Sequence, residues 1–154
     1  MGNMPKLEYN YVLIAAVLSW CAAQIIKTFI HLIRYKTFKL ERLFGSGGMP
    51  SSHSSLVCAA TIAVSRKVGP DSPEFAIVFL FAIVVMYDAM GVRRAAGLHA
   101  KEINRMNKFF ADKKQQPDIH VKNKELKEYL GHTPLEVLGG ALLGILVALL
   151  VPIR

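Results

Sequence analysis

Acidic side chains are scarce in this 154-residue chain: eleven Asp and Glu stand against nineteen Lys and Arg, a formal charge of +8. Charged residues of both signs make up only 19%, against 53% hydrophobic residues and a mean hydropathy of +0.34. That apolar excess excludes a disordered chain and an ordinary basic nucleic-acid binder. Cysteine is nearly absent, and Cys21 and Cys58 both lie inside apolar runs, so no disulfide framework is indicated. The five histidines show no Cys/His ligand spacing, which gives no reason to expect a zinc site. Internal repeats and low-complexity tracts are also missing, and the length suits a single domain spanning 1–154. What remains is apolar sequence in long blocks, the composition of a membrane protein.

Four such blocks run over about 9–33, 49–64, 75–92 and 135–153. A spanning helix needs roughly 20 mostly apolar residues, and the first and last blocks meet that length easily. The second is short and opens on Ser51-Ser52-His53-Ser54-Ser55, so its polar start must line a protein cavity if it enters the bilayer. The first block is too long for the apolar part of a leader peptide, and Glu8 sits where a basic leader would be expected. Pro50 and Pro134 each suit the first position of a helix. Ala95 to Phe110 places Ile103, Met106 and Phe110 at helical spacing among cations, the pattern of an interfacial helix continuing from the third span. The expected fold class is therefore an all-α, four-span transmembrane helical bundle with an interfacial helix after span three.

Cations sort the two sides. The segment after the first block carries Arg34, Lys36, Lys39 and Arg42, and about 93–133 carries ten Lys and Arg beginning at Arg93 and Arg94. The other connections carry few. Positive segments stay in the cytoplasm, so both termini are expected outside and the 93–133 loop inside, in a multi-pass cell-membrane protein. The net charge then reports topology, and no nucleic-acid partner is expected.

The polar residues at membrane depth converge on that inner side. Lys27, His31 and Arg34 end the first span, and Ser51, Ser52 and His53 open the second. Asp88, Arg93 and Arg94 close the third, and His132, Thr133 and Glu136 open the fourth. Ionisable groups at such depth normally face a protein interior or a watery cavity. Two helix beginnings beside several cations would suit an anion such as phosphate.

Gly47-Gly48-Met49-Pro50-Ser51-Ser52-His53-Ser54 resembles the Pro-Ser-Gly-His motif of the type 2 phosphatidic acid phosphatases and vanadium-dependent haloperoxidases. The run from Leu130 through His132 and Glu136 to Gly140 is similar to that superfamily's final His-x-x-x-Asp motif. Lys27 and Arg34 resemble its opening Lys/Arg motif, and the whole chain looks most like the small divergent membrane branch. Four positions depart from the pattern. Ser52 stands for Gly, Tyr35 for Pro, Glu136 for Asp, and Leu126 for the Arg six residues before the last histidine. Arg93 or Arg94 is a candidate substitute for that cation. A second Arg-x5-His spacing, Arg93 to His99, is disfavoured because Ile103 occupies the position of the acid.

The resemblance implies a metal-free lipid phosphate phosphomonoesterase with no cofactor. In that scheme His132 attacks phosphorus, His53 protonates the leaving alkoxide, and Glu136 orients the His132 ring. Lys27, Arg34, Ser51, Ser52, Arg93 and Arg94 would bind the phosphate oxygens. Competing readings exist for several of these residues. Thr133 to Glu136 is also a capping box, Lys27 can snorkel to headgroups, and Arg93 and Arg94 can be positive-inside anchors. Asp88 is expected to pair with one of these cations. Two non-catalytic alternatives stand beside the enzyme: a binder or carrier of anionic phospholipid headgroups, and a subunit of a homo-oligomer packing through Gly139, Gly140 and Gly144.

Overall fold

The computed structural model describes residues 10–36, 48–112, 126, 128 and 130–153. Among these the regular structure is entirely helical. The helices are α1 (Tyr11–Tyr35), α2 (Ser52–Val68), α3 (Pro73–Met90), α4 (Val92–Asp112) and α5 (Pro134–Leu150). The chain is an all-α bundle with an additional amphipathic helix after the third apolar segment. The sequence-derived spans agree with α1, α2, α3 and α5 to within about four residues, the ordinary uncertainty of helix ends.

Local chemistry sets the ends. Asn10, Ser51, Ser72 and Thr133 are the N-caps, each side chain accepting from a backbone N–H three residues on. Pro73 and Pro134 follow their caps in the first turn, where the missing N–H costs nothing. Pro50 does not play that part, contrary to expectation. Ser51 supplies the capping oxygen, so Pro50 precedes the cap and α2 begins at Ser52. α2 ends at Gly69, whose φ of +96° lies in the region glycine tolerates. Gly91 separates α3 from α4, so the interfacial stretch begins at Val92, three residues before the expected Ala95.

α2 is the central helix, packed on α1, α3 and α5. Its contact faces are small or polar: Ser52, Ser54, Ser55, Ala59, Thr61 and Ala63 are all buried. Against α5 the fit is backbone to backbone. A Cβ on Gly140 would lie 2.2 Å from the Ser51 carbonyl oxygen, and one on Gly144 would lie 2.3 Å from that of Ser55. The repeat Gly140-x-x-x-Gly144 thus faces Ser51-x-x-x-Ser55, the small-residue packing used where lipid removes any hydrophobic drive between helices. These two glycines are consumed inside the chain, which takes them away from the subunit-packing role considered for them. Against α1, Ser19 Oγ donates to the Ser55 carbonyl at 3.1 Å and Ser55 Oγ donates to the Ser19 carbonyl at 3.2 Å.

The end of the bundle away from the polar cluster is closed by Arg66. Its Nη1 donates to the Tyr11 hydroxyl at 2.5 Å and to the carbonyls of Ala148 and Val151 at the end of α5. Helix ends leave four carbonyls unsatisfied, and here one guanidinium meets those of α5 while tying that end to Tyr11 of α1. The outer surface is apolar: Leu13, Ile25, Phe29, Ile77, Leu80, Phe81, Val84, Leu142, Leu146 and Leu150 are all exposed. α1 and the continuous run Pro73–Phe110 are long and apolar enough to cross a membrane, and α5 is a shorter apolar helix. An apolar exterior around a partly polar interior is the arrangement a bilayer demands.

Candidate functional site

The N-terminus of α2 and the N-terminus of α5 lie side by side. Ser51 N–H donates to the Glu136 carbonyl at 3.0 Å, which joins the two first turns directly. The last turn of α3 completes the enclosure, because His132 N–H donates to the Ala89 carbonyl at 2.9 Å. Gly131 permits the close approach. Its φ is +83°, and a Cβ there would stand 2.3 Å from the Arg94 nitrogen. Two helix dipoles and their free N–H groups therefore open toward one corner.

A narrow cleft of about 20 Å³, room for one water-sized body, occupies that corner. His53, Val85, Ala89, Arg93, Gly131 and His132 line it. The two imidazoles thus come from α2 and from the segment before α5, and both border one space. His132 is 4% exposed, whereas His53 is exposed at the mouth. Arg93 Nε donates to Asp88 Oδ2, the pairing expected for Asp88, and holds the guanidinium at the cleft from the α3–α4 junction.

Behind His132 stands Glu136. Its Oε2 lies 3.2 Å from His132 Nδ1 and 3.0 Å from the Thr133 nitrogen, while Glu136 N–H donates to Thr133 Oγ1 at 3.3 Å. The sequence presented capping and ring orientation as alternatives for Glu136. One carboxylate oxygen does both. A carboxylate only accepts, so with neutral imidazole Nδ1 carries the proton and Nε2 keeps the lone pair. Burial pushes the His132 pKa below its ordinary 6.5; the Glu136 hydrogen bond and charge oppose that shift, and the Lys27 and Arg93 cations reinforce it. The ring is consequently neutral at pH 7.

The other expected phosphate ligands are distributed unevenly. Lys27 is buried, its stem packs beside Gly48, and its charge reaches His132. Ser51 and Ser52 are also buried, and the Ser51 hydroxyl caps α2 by accepting from Ser54 N–H and Ser54 Oγ–H. Arg34 is exposed, two turns beyond Lys27 on α1, and lines neither cavity described here. Arg94 does not line the cleft. It borders a second cavity of about 210 Å³ with Glu128, Leu130, His132, Thr133 and Glu136. Of the two neighbouring arginines, Arg93 is therefore the one beside both imidazoles. His99 is exposed on α4, and His120 lies outside the described residues. Gly131, which borders both cavities, was missed in the sequence, where a glycine between a leucine and a histidine signals only a turn.

A family model described as the divergent PAP2 family matches residues 8–147. The chain belongs to the divergent PAP2 family. A membrane protein of Bacillus subtilis (strain 168), called "Uncharacterized membrane protein YuiD", is 40% identical over 150 residues, covering 94% of this chain and 95% of that protein. No solved structure matches this divergent PAP2 chain.

Proposed function

We propose that the chain is a multi-pass membrane phosphatase that hydrolyses a lipid phosphate monoester through a phosphohistidine, with its cleft facing the cytoplasm. The observation that carries this reading is the His132–Glu136 pair set into the same cleft as His53 and Arg93. His132 Nε2 forms a bond to phosphorus as the ester P–O bond breaks, and His53 gives its proton to the departing alkoxide. Water then attacks phosphorus, the P–N bond breaks, and His53 takes the proton of that water. Arg93 and Lys27 balance charge on the equatorial oxygens, helped by the N-termini of α2 and α5. Arg93 supplies the cation that the motif resemblance leads one to expect where this chain has Leu126. The lipid tail lies along the exposed apolar faces of the helices.

The test is phosphate release by purified protein from phosphatidic acid, phosphatidylglycerophosphate and a polyprenyl phosphate in detergent micelles. Turnover that falls by about 1,000-fold or more in His132→Ala and His53→Ala supports the assignment. An acid-labile phosphoprotein in wild type, missing from His132→Ala, identifies the intermediate. No turnover by wild type, or full turnover in both variants, overturns it. A non-catalytic reading rests on Leu126, whose side chain is exposed and brings no cation to the cleft. It predicts saturable binding of the same lipids with no phosphate released.

A further inference from the structure

We propose that Asn104 is a positioning residue that sets the place of His132 in the cleft by clamping Leu126 and Glu128 to α4. Asn104 is 6% exposed and shares the buried side of the amphipathic α4 with Gly97 and Ala100. Its carboxamide makes three bonds. Nδ2 donates to the Leu126 carbonyl and to Glu128 Oε1, both at 2.9 Å, and Oδ1 accepts from Leu126 N–H at 3.0 Å. Serving both the N–H and the C=O of one residue, the side chain copies the pairing of a neighbouring strand. These groups lie 22 and 24 positions along the chain from Asn104, so the bonds join distant parts of the sequence rather than decorate a helix.

The clamp is aligned with the nucleophile. Gly97, two turns before Asn104, comes so close that a Cβ there would be 2.5 Å from the Leu130 carbonyl oxygen and 2.8 Å from that of Glu128. Gly131 then meets the Arg94 backbone and His132 N–H reaches Ala89. The segment carrying His132 is thus laid along α4 from Asn104 to Arg94 and delivered to the end of α3. Leu126, Glu128 and the run from Leu130 to Thr133 all lie outside regular structure. An irregular segment that lacks its own ladder opens easily unless side chains hold it, and a bond to a carboxylate is the stronger kind of hold. The consequence for turnover rests on His132 being the nucleophile, as proposed above; the clamp itself does not.

The experiment measures carbethoxylation of each histidine by diethyl pyrocarbonate, mapped by peptide mass, on the full chain in detergent. In wild type the buried His132 ring reacts slowly and the exposed His53 ring reacts quickly. Asn104→Ala raises the His132 rate by about tenfold or more, because a lost hydrogen bond of this kind shifts local opening by that order, and leaves the His53 rate unchanged. Asn104→Asp is as damaging, since it sets a carboxylate against the Glu128 carboxylate. Adding Glu128→Gln restores a donor and returns His132 toward its wild-type protection. On a lipid phosphate the Asn104→Ala enzyme loses kcat with KM retained. Unchanged protection of His132, equal exposure of both rings, or no rescue by Glu128→Gln overturns the clamp. Wild-type protein that hydrolyses no lipid phosphate would instead overturn the proposed function, and the protection data would still decide Asn104.

Discussion

Glu136 Oε2 lies 3.2 Å from His132 Nδ1, four residues back along the chain and just outside the helix that Glu136 begins. The spacing is that of a helical turn, but the ring stands before the N-cap, so the carboxylate bends back over Thr133 to meet it. Capping and the hold on the His132 ring therefore share one oxygen, and two substitutions separate them. Thr133→Ala removes the cap hydroxyl, and the expected result is a stability loss of about 1 kcal/mol with a far smaller effect on kcat. Glu136→Ala loses the cap and the orientation of the ring together, and kcat falls by about 100-fold or more. Thermal unfolding and initial rates on the same preparations check both. Equal kcat losses in the two variants would leave Glu136 with capping alone.

The depressed pKa of His132 has a defined sign in two measurements. Unfolded, the ring titrates at its ordinary 6.5; folded, burial chiefly lowers that value. Between the two the unfolded chain binds more protons, so stability rises with pH across that window. The contribution of the neutral buried ring is complete above pH 6.5 and is lost as pH falls toward the lowered value. In turnover, the acid limb that reports a neutral nucleophile lies below pH 6.5. Glu136→Gln removes the charge that opposes the shift, and the limb then moves further toward acid. Titration of ring-¹⁵N-labelled histidines, compared with His132→Ala, identifies the group. A His132 value above 6.5 contradicts the structure.

The apolar blocks made the helices legible because lipid-facing length and hydropathy are local properties of the sequence. The four cap residues were only partly so. Thr133-Pro134 was readable, whereas Pro50 equally suits a first helical position and only the fold shows it lying before the Ser51 cap. At the site, His53, His132 and Glu136 came from motif resemblance, and the convergence of their helices from the placement of charge. What stayed hidden was pairing across long separations. Nothing near Asn104 in the sequence marks Leu126 and Glu128 as its partners, because a lone asparagine on an amphipathic helix looks solvated. The ordering of Arg93 over Arg94 was likewise hidden, since two adjacent helical residues point about 100° apart and only the packing says which direction holds the cleft.

The α2–α5 contact predicts an unequal response among three glycines close together in sequence. Alanine at Gly140 or Gly144 must force apart two backbones already in contact, with Cβ positions 2.2 and 2.3 Å from carbonyl oxygens. Overpacking of this kind costs about 1–3 kcal/mol, and with rigid backbone on the far side the upper end is expected. At Gly139 the nearest atom is Met49 Cε at 3.0 Å, the free end of a flexible side chain that can swing away. Gly139→Ala should therefore stay within about 1 kcal/mol of wild type. Thermal unfolding in detergent orders the three. Because Ser51 caps α2 and abuts Gly140, the Gly140→Ala protein should also lose more activity than Gly144→Ala.

Sidedness can be checked without any enzymatic assay. The α2–α3 turn holds exposed Asp71, whereas exposed Lys101 lies on α4, the helix whose first turn brings Arg93 to the histidine cleft. In a chain whose Cys21 and Cys58 are replaced by alanine, Asp71→Cys is expected to react with a membrane-impermeant maleimide on intact cells. Lys101→Cys is expected to react only after permeabilisation. The physical reason is the distribution of cations: α4 carries Arg93, Arg94, Lys101, Arg105 and Lys108, which an energised membrane retains on its inner side, and the turn carries far fewer. The opposite labelling pattern would place the cleft on the outer surface. The lipid phosphate it meets would then belong to the outer leaflet, and the positive segment would have crossed against its usual preference.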